Sequence, residues 1–82
     1  MILVDVMVPC LDKTYDFWLD ENTEIRLVIE ELTEVIGQKE KAPLAGNRRN
    51  LQLCDKIGKR VLLKNGTLYS EGIKMGGTLI LL

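Results

Sequence analysis

Histidine is missing from the 82 residues, which hold two cysteines, two prolines, one tryptophan and a single serine, Ser70. Without histidine there is no ordinary general base at neutral pH. Ser70, Cys10 and Cys54 therefore lack the partner that usually activates a hydroxyl or thiol. Lowered thiol pKa values, with Lys13 or Lys56 nearby, would be needed to make Cys10 or Cys54 nucleophilic. An unreactive cysteine in a turn or a small apolar space is the simpler reading. Two cysteines offer no zinc-ligand spacing and no disulfide scaffold, and free thiols fit a reducing cytoplasm better than a Cys10–Cys54 bridge. Asp12, Asp16 and Asp20 are spread over turn and strand positions rather than gathered in a pocket. No catalytic, cofactor or metal site is expected.

Charge of one sign is also lacking: 11 basic side chains face 12 acidic ones, for a net charge of −1. That balance excludes the basic excess by which proteins bind nucleic acid or membrane surfaces non-specifically. No apolar run approaches the roughly 18 residues of a membrane span, so no direct membrane insertion is expected. Met1-Ile2-Leu3-Val4-Asp5 has no basic region and carries Asp in its apolar run, so it is not read as a signal peptide.

What is present suits a compact fold. With 46% hydrophobic and 28% charged residues, residues 1–82 are expected to form one domain, near the lower size limit for folding without a staple. Ile2, Val4, Val6 and Val8 alternate with Leu3, Asp5 and Met7, which predicts a strand. Pro9 to Lys13 reads as a turn. Tyr15, Phe17 and Leu19 then alternate with Asp16, Trp18 and Asp20, predicting a second strand that completes an antiparallel hairpin.

Asn22 or Thr23 is placed to cap a helix whose apolar positions Ile25, Val28 or Ile29, Leu32, and Val35 or Ile36 recur at helical spacing, with Gly37 as its end. Glu30, Glu31 and Glu34 fall on its wet face. Residues 38–50 read as a loop bearing Lys39, Lys41, Arg48 and Arg49, solvated rather than a binding element. Short strands are expected at Leu51 to Cys54 and Arg60 to Leu63, and Asn65-Gly66 is a turn signal. The closing Thr78 to Leu82 is too apolar for an edge. It is placed at the centre of the sheet, between the first and third strands.

This order is α+β, and the pairing of first and last strands under one helix gives a β-grasp of four to five strands in a mixed sheet. The helix pattern ending at Gly37, Asn65-Gly66-Thr67-Leu68, Gly72-Ile73-Lys74 and Gly77-Thr78-Leu79-Ile80-Leu81 resemble ubiquitin-like proteins over nearly the whole chain. The segment Ile73-Lys74-Met75-Gly76-Gly77-Thr78-Leu79-Ile80-Leu81-Leu82 resembles the YukD-type ubiquitin-like proteins of Gram-positive type VII (ESX/Ess) secretion loci. That resemblance implies a cytoplasmic, non-enzymatic accessory component of a secretion system, acting by protein contact. Two alternatives stand beside it: a ubiquitin-like modifier or sulfur carrier handled by an activating enzyme, and a domain of a larger membrane component of secretion. Gly76-Gly77 does not favour the modifier, because the pair leads into the closing strand and cleavage after Gly77 would remove that strand.

Alternation places Leu3, Met7, Trp18, Ile80 and Leu82 together on the sheet face away from the helix. In ubiquitin that face is the main partner-binding surface. Gln52 is expected at its centre here, so ubiquitin's partners do not transfer. Five apolar residues on one face predict a contact surface for a protein partner or a second copy of the chain.

Overall fold

The computed structural model describes residues 1–41 and 51–82. The hairpin forms as its alternation predicts: β1 (Ile2–Val8) pairs antiparallel with β2 (Lys13–Leu19), from Ile2 opposite Leu19 to Val8 opposite Lys13. A single 3₁₀ turn over Pro9–Leu11 joins them, and Asp12 takes a left-handed conformation at its end. After α1 (Ile25–Lys39) come β3 (Leu53–Asp55), β4 (Arg60–Val61) and β5 (Thr78–Leu81). The five strands form one sheet in the order β2-β1-β5-β3-β4. β5 runs parallel to β1 and antiparallel to β3. This is the mixed β-grasp sheet expected from the apolar closing strand, with that strand paired on both sides.

Period-two burial sets the core. Ile2, Val4, Val6 and Val8 of β1, Tyr15 and Leu19 of β2, and Leu79 and Leu81 of β5 are buried. They meet Ile25, Val28, Ile29, Leu32 and Ile36 of α1, together with Leu53, Leu62, Leu68 and Ile73. Val35, the alternative to Ile36 on the helical wheel, is exposed.

The start of α1 differs from expectation. Neither Asn22 nor Thr23 caps it. Glu24 occupies the N-cap without a side-chain cap bond, and backbone carbonyls of a distant turn take its place. Ile25 N–H donates to the Gly66 carbonyl at 2.9 Å and Arg26 N–H to the Lys64 carbonyl at 3.0 Å. Those donors lack partners inside any helix, and the Asn65-Gly66 turn supplies them. Asp20 uses its carboxylate on Asn22 N–H instead, shaping the approach to the helix.

Nor does α1 stop at Gly37. It continues to Lys39, and the chain turns at Lys41, whose φ is 56°. Glycine inside a helix costs about 1 kcal/mol, and contacts beyond it offset that cost. The Glu40 carboxylate accepts bonds from Lys13 Nζ (2.6 Å) and the Tyr15 hydroxyl (2.8 Å), and Lys39 lies over the Tyr15 ring. Residues 38 and 39 are thus helix rather than loop, while Arg48 and Arg49 lie outside the described residues.

β3 and β4 are also shifted or shortened. Gln52 and Leu82 exchange both backbone hydrogen bonds, extending the β3–β5 ladder by one pair. β4 was expected to reach Leu63 but ends at Val61. Leu62 N–H still bonds to the Leu53 carbonyl, whereas Leu63 N–H donates to the Glu71 carboxylate and its side chain is exposed.

Candidate protein-docking face

Backbone hydrogen bonds fix which β1 residues look toward which neighbour. Asp5 N–H donates to the Gly77 carbonyl and the Leu3 carbonyl accepts from Gly76 N–H. Odd-numbered β1 residues thus bond toward β5, and even-numbered ones toward β2. The odd residues place their side chains on the face away from α1, where Leu3 and Met7 are half-buried and Asp5 is exposed.

The register assembles that outer face in rows across the sheet. Leu3 lies opposite Trp18, which is 58% exposed. Met75, 59% exposed, lies on the other side of Leu3 and takes the Leu3 N–H on its sulfur at 3.2 Å. A second row runs through four strands: Met7 beside Ile80, Ile80 beside Cys54, and Cys54 beside Val61. Leu82, exposed, continues the Ile80 side of β5 toward Gln52.

Between the two apolar rows lies a polar one. Asp5 faces Asp16 across the hairpin and Thr78 across the β1–β5 pair. The Asp5–Asp16 pair is of the non-hydrogen-bonded type, in which facing side chains come closest, with Cα atoms about 4.5 Å apart. The hydrogen bond to Asp16, some loss of hydration and the charge of Asp16 together push the Asp5 carboxyl above its ordinary value.

Of the five residues singled out by alternation, Leu3 adjoins Trp18 and Met7 adjoins Ile80, while Leu82 lies two positions beyond Ile80. They form two patches rather than one. Cys54, Val61 and Met75 belong to the same face and were not foreseen, because β3 and β4 are too short to show alternation and Met75 lies in a turn. The Asp5–Asp16 row was legible: both residues occupy outward positions of strands whose hairpin pairing sets them opposite.

Away from this face, the groove between α1 and Lys64 contains one buried hydroxyl, Thr33, which donates to the Ile29 carbonyl of its own helix at 2.7 Å. Cys10 is exposed, Cys54 is half-buried, and neither is in a disulfide. Among the described residues, no helix is long and apolar enough to cross a membrane.

The topology and packing are those of a ubiquitin-like β-grasp domain. Among solved structures, the chain is similar to the EccD5 ubiquitin-like domain from Mycobacterium xenopi, with a TM-score of 0.82, 24% identity, and coverage of 99% of this chain and 91% of that one. It is also similar to a chain of the MycP5-free ESX-5 inner membrane complex, with a TM-score of 0.83 and 22% identity, over 99% of this chain and 20% of that one. The N-terminal ubiquitin-like domain of the 4931431F19Rik protein gives a TM-score of 0.76 and 22% identity, over 99% of this chain and 72% of that one. At these identities the likeness is one of fold. No protein-family model and no curated protein matches the chain.

Proposed function

We propose that residues 1–82 form a single ubiquitin-like domain that acts by binding, as a cytoplasmic, non-enzymatic accessory component of a type VII secretion system. The observation that carries this reading is the outer sheet face, where exposed Trp18 stands beside Leu3, Leu3 N–H bonds to the sulfur of exposed Met75, and Met7 stands beside Ile80. Aromatic and Met side chains of this kind are enriched where proteins meet. The fold likeness to the EccD5 ubiquitin-like domain and to a chain of the ESX-5 inner membrane complex and the YukD-like closing segment support the choice of system. Leu82 is a further rim contact.

The test presents the purified chain with the purified cytosolic domains of the secretion ATPase and membrane components from its own genome. Trp18→Ala and Ile80→Asp, each folded by circular dichroism, should lose binding. Wild-type binding by both folded variants would overturn the docking face.

A second reading has one observation in its favour: the ESX-5 chain of like fold is about five times longer than its matched part. On that reading, this domain belongs to a larger secretion membrane component, and immunoblotting native cell extract for the protein's size distinguishes the two. The modifier or sulfur-carrier alternative is weakened by Gly77, whose carbonyl accepts a bond from Asp5 N–H inside the sheet. Adducts in the intact mass after incubation with ATP and lysate would revive it.

A further inference from the structure

The outer face carries a local conflict. Like charges directly opposite each other in an antiparallel pair are destabilising, yet Asp5 and Asp16 occupy such a pair. The ion pairs recorded among the described residues join Lys13 to Glu40, Arg26 to Glu24, Arg60 to Glu71 and the N-terminus to Glu21. Neither Asp5 nor Asp16 takes part in one. The next cation along their row is Lys56, whose N–H bonds to the Thr78 carbonyl. That places it two strands from Asp5, roughly 10 Å away at ordinary strand spacing.

A charge on an edge strand is a common guard against edge-to-edge pairing, and β2 is an edge strand. That accounts for Asp16. It does not account for Asp5, which lies one strand inward, where an apolar residue would join Leu3 and Met7 into one continuous patch. Among the described residues, the contact recorded for this pair is the hydrogen bond between the two carboxyl groups themselves. A local rule broken with no cation beside it points to a compensating contact outside the fold.

Resting on the docking reading above, we infer that the partner segment covering this face presents an arginine to Asp5 and Asp16, flanked by apolar side chains that seat on the Trp18–Leu3 and Met7–Ile80 patches. The chemistry selects arginine over lysine. A planar guanidinium offers five donors and can bridge two facing carboxylates at once, whereas an ammonium is a single compact charge. Trp18 follows Asp16 by two residues on the same face of β2, so a guanidinium held at Asp16 also lies beside an aromatic ring, a favourable contact. The apolar patches on either side exclude water from the pair, which strengthens it.

The test uses two acetylated, amidated peptides, each with four leucines around a central residue. One has arginine there and the other citrulline, its neutral isostere. The ¹⁵N-labelled full chain is titrated with each, and the fluorescence of its one tryptophan is followed in parallel. The arginine peptide should shift the amides of Leu3, Asp5, Met7, Asp16 and Trp18 and bind about tenfold tighter or more, the range of a charge-assisted hydrogen bond. In the Asp5→Asn/Asp16→Asn variant the two peptides should bind alike. In Trp18→Ala both should weaken, with the preference for arginine kept.

Equal affinity of the two peptides for the wild-type chain overturns the inference, as does an arginine preference that survives in the double variant, or binding by neither peptide. Concentration-dependent shifts of the same amides without peptide would name a second copy of the chain as occupant, and also overturn it. These failures leave the docking face standing if Trp18→Ala and Ile80→Asp still abolish binding to the secretion components. If those variants bind normally, the docking reading itself has failed.

Discussion

Ile25 donates its backbone N–H to the carbonyl of Gly66, 41 residues further along the chain (66 − 25). The helix therefore starts against a turn of the sheet connector and not against a side-chain cap of its own. A β-carbon at residue 66 would lie 3.0 Å from Ser70 Oγ, and that hydroxyl accepts from Thr67 N–H. Gly66→Ala should cost about 1 kcal/mol, within the range for disturbing a packed turn. Hydrogen exchange should localise the effect, with faster exchange at Ile25 and Arg26 and little change in the middle of α1.

Removal of β5 should abolish the fold. Leu79 and Leu81 are buried on the helix side of a strand paired on both edges. Each truncation of such a leucine to alanine costs about 2–5 kcal/mol, against a total stability of about 5–15 kcal/mol for a small domain. Leu79→Ala should be folded but weakened by that amount in urea. A chain stopped after Gly77 should show no cooperative unfolding transition.

Glu40 predicts one sign of pH dependence. Lys13 and the Tyr15 hydroxyl hold its carboxyl below the ordinary 4.5. Its contribution is fully present above 4.5 and is lost as pH falls through the lowered folded value. Glu40→Gln should melt below the wild type at pH 7, with the gap closing in acid. Equal melting temperatures at pH 7 would mean that the bonds to Lys13 and Tyr15 add nothing.

Asp5 predicts the opposite sign. Asp16 holds its carboxyl above the ordinary 3.8, so the folded chain pays for that charge at neutral pH. The penalty is complete above the raised folded value and disappears below 3.8. Asp5→Asn, able to donate a hydrogen bond to Asp16, should melt higher than the wild type at pH 7, with the advantage shrinking as pH falls toward 3.8. A variant that gains stability while losing preference for the arginine peptide would show stability given up for binding.

The fold was largely legible because its long elements obey strict periods. The seven residues of β1 alternate in burial without a break, as do Tyr15 to Leu19 of β2, and the apolar Thr78–Leu81 run permits only a central place. The ends of elements were not legible, because distant contacts decide them: the 64–66 turn starts α1, Glu40 and Tyr15 carry it past Gly37, and Glu71 draws Leu63 out of β4. On the outer sheet face, alternation identified the outward residues of the long strands. It missed Cys54 and Val61, whose strands have three and two residues. It also treated the face as a single apolar surface, though the Asp5–Asp16 row divides it.

The parallel pairing of β1 with β5 has a mechanical consequence. Chain leading into β1 and chain leaving β5 depart from opposite ends of two strands that run side by side, with Asp5 beside Thr78 and Met7 beside Ile80. Tension applied through those two points pulls the strands lengthwise past each other. The hydrogen bonds of the pair, including Asp5 to Gly77 and Gly76 to Leu3, then bear the load together and cannot open one at a time like a zip. A domain strung this way should resist traction along its chain far better than its size suggests, and it should yield in a single abrupt step.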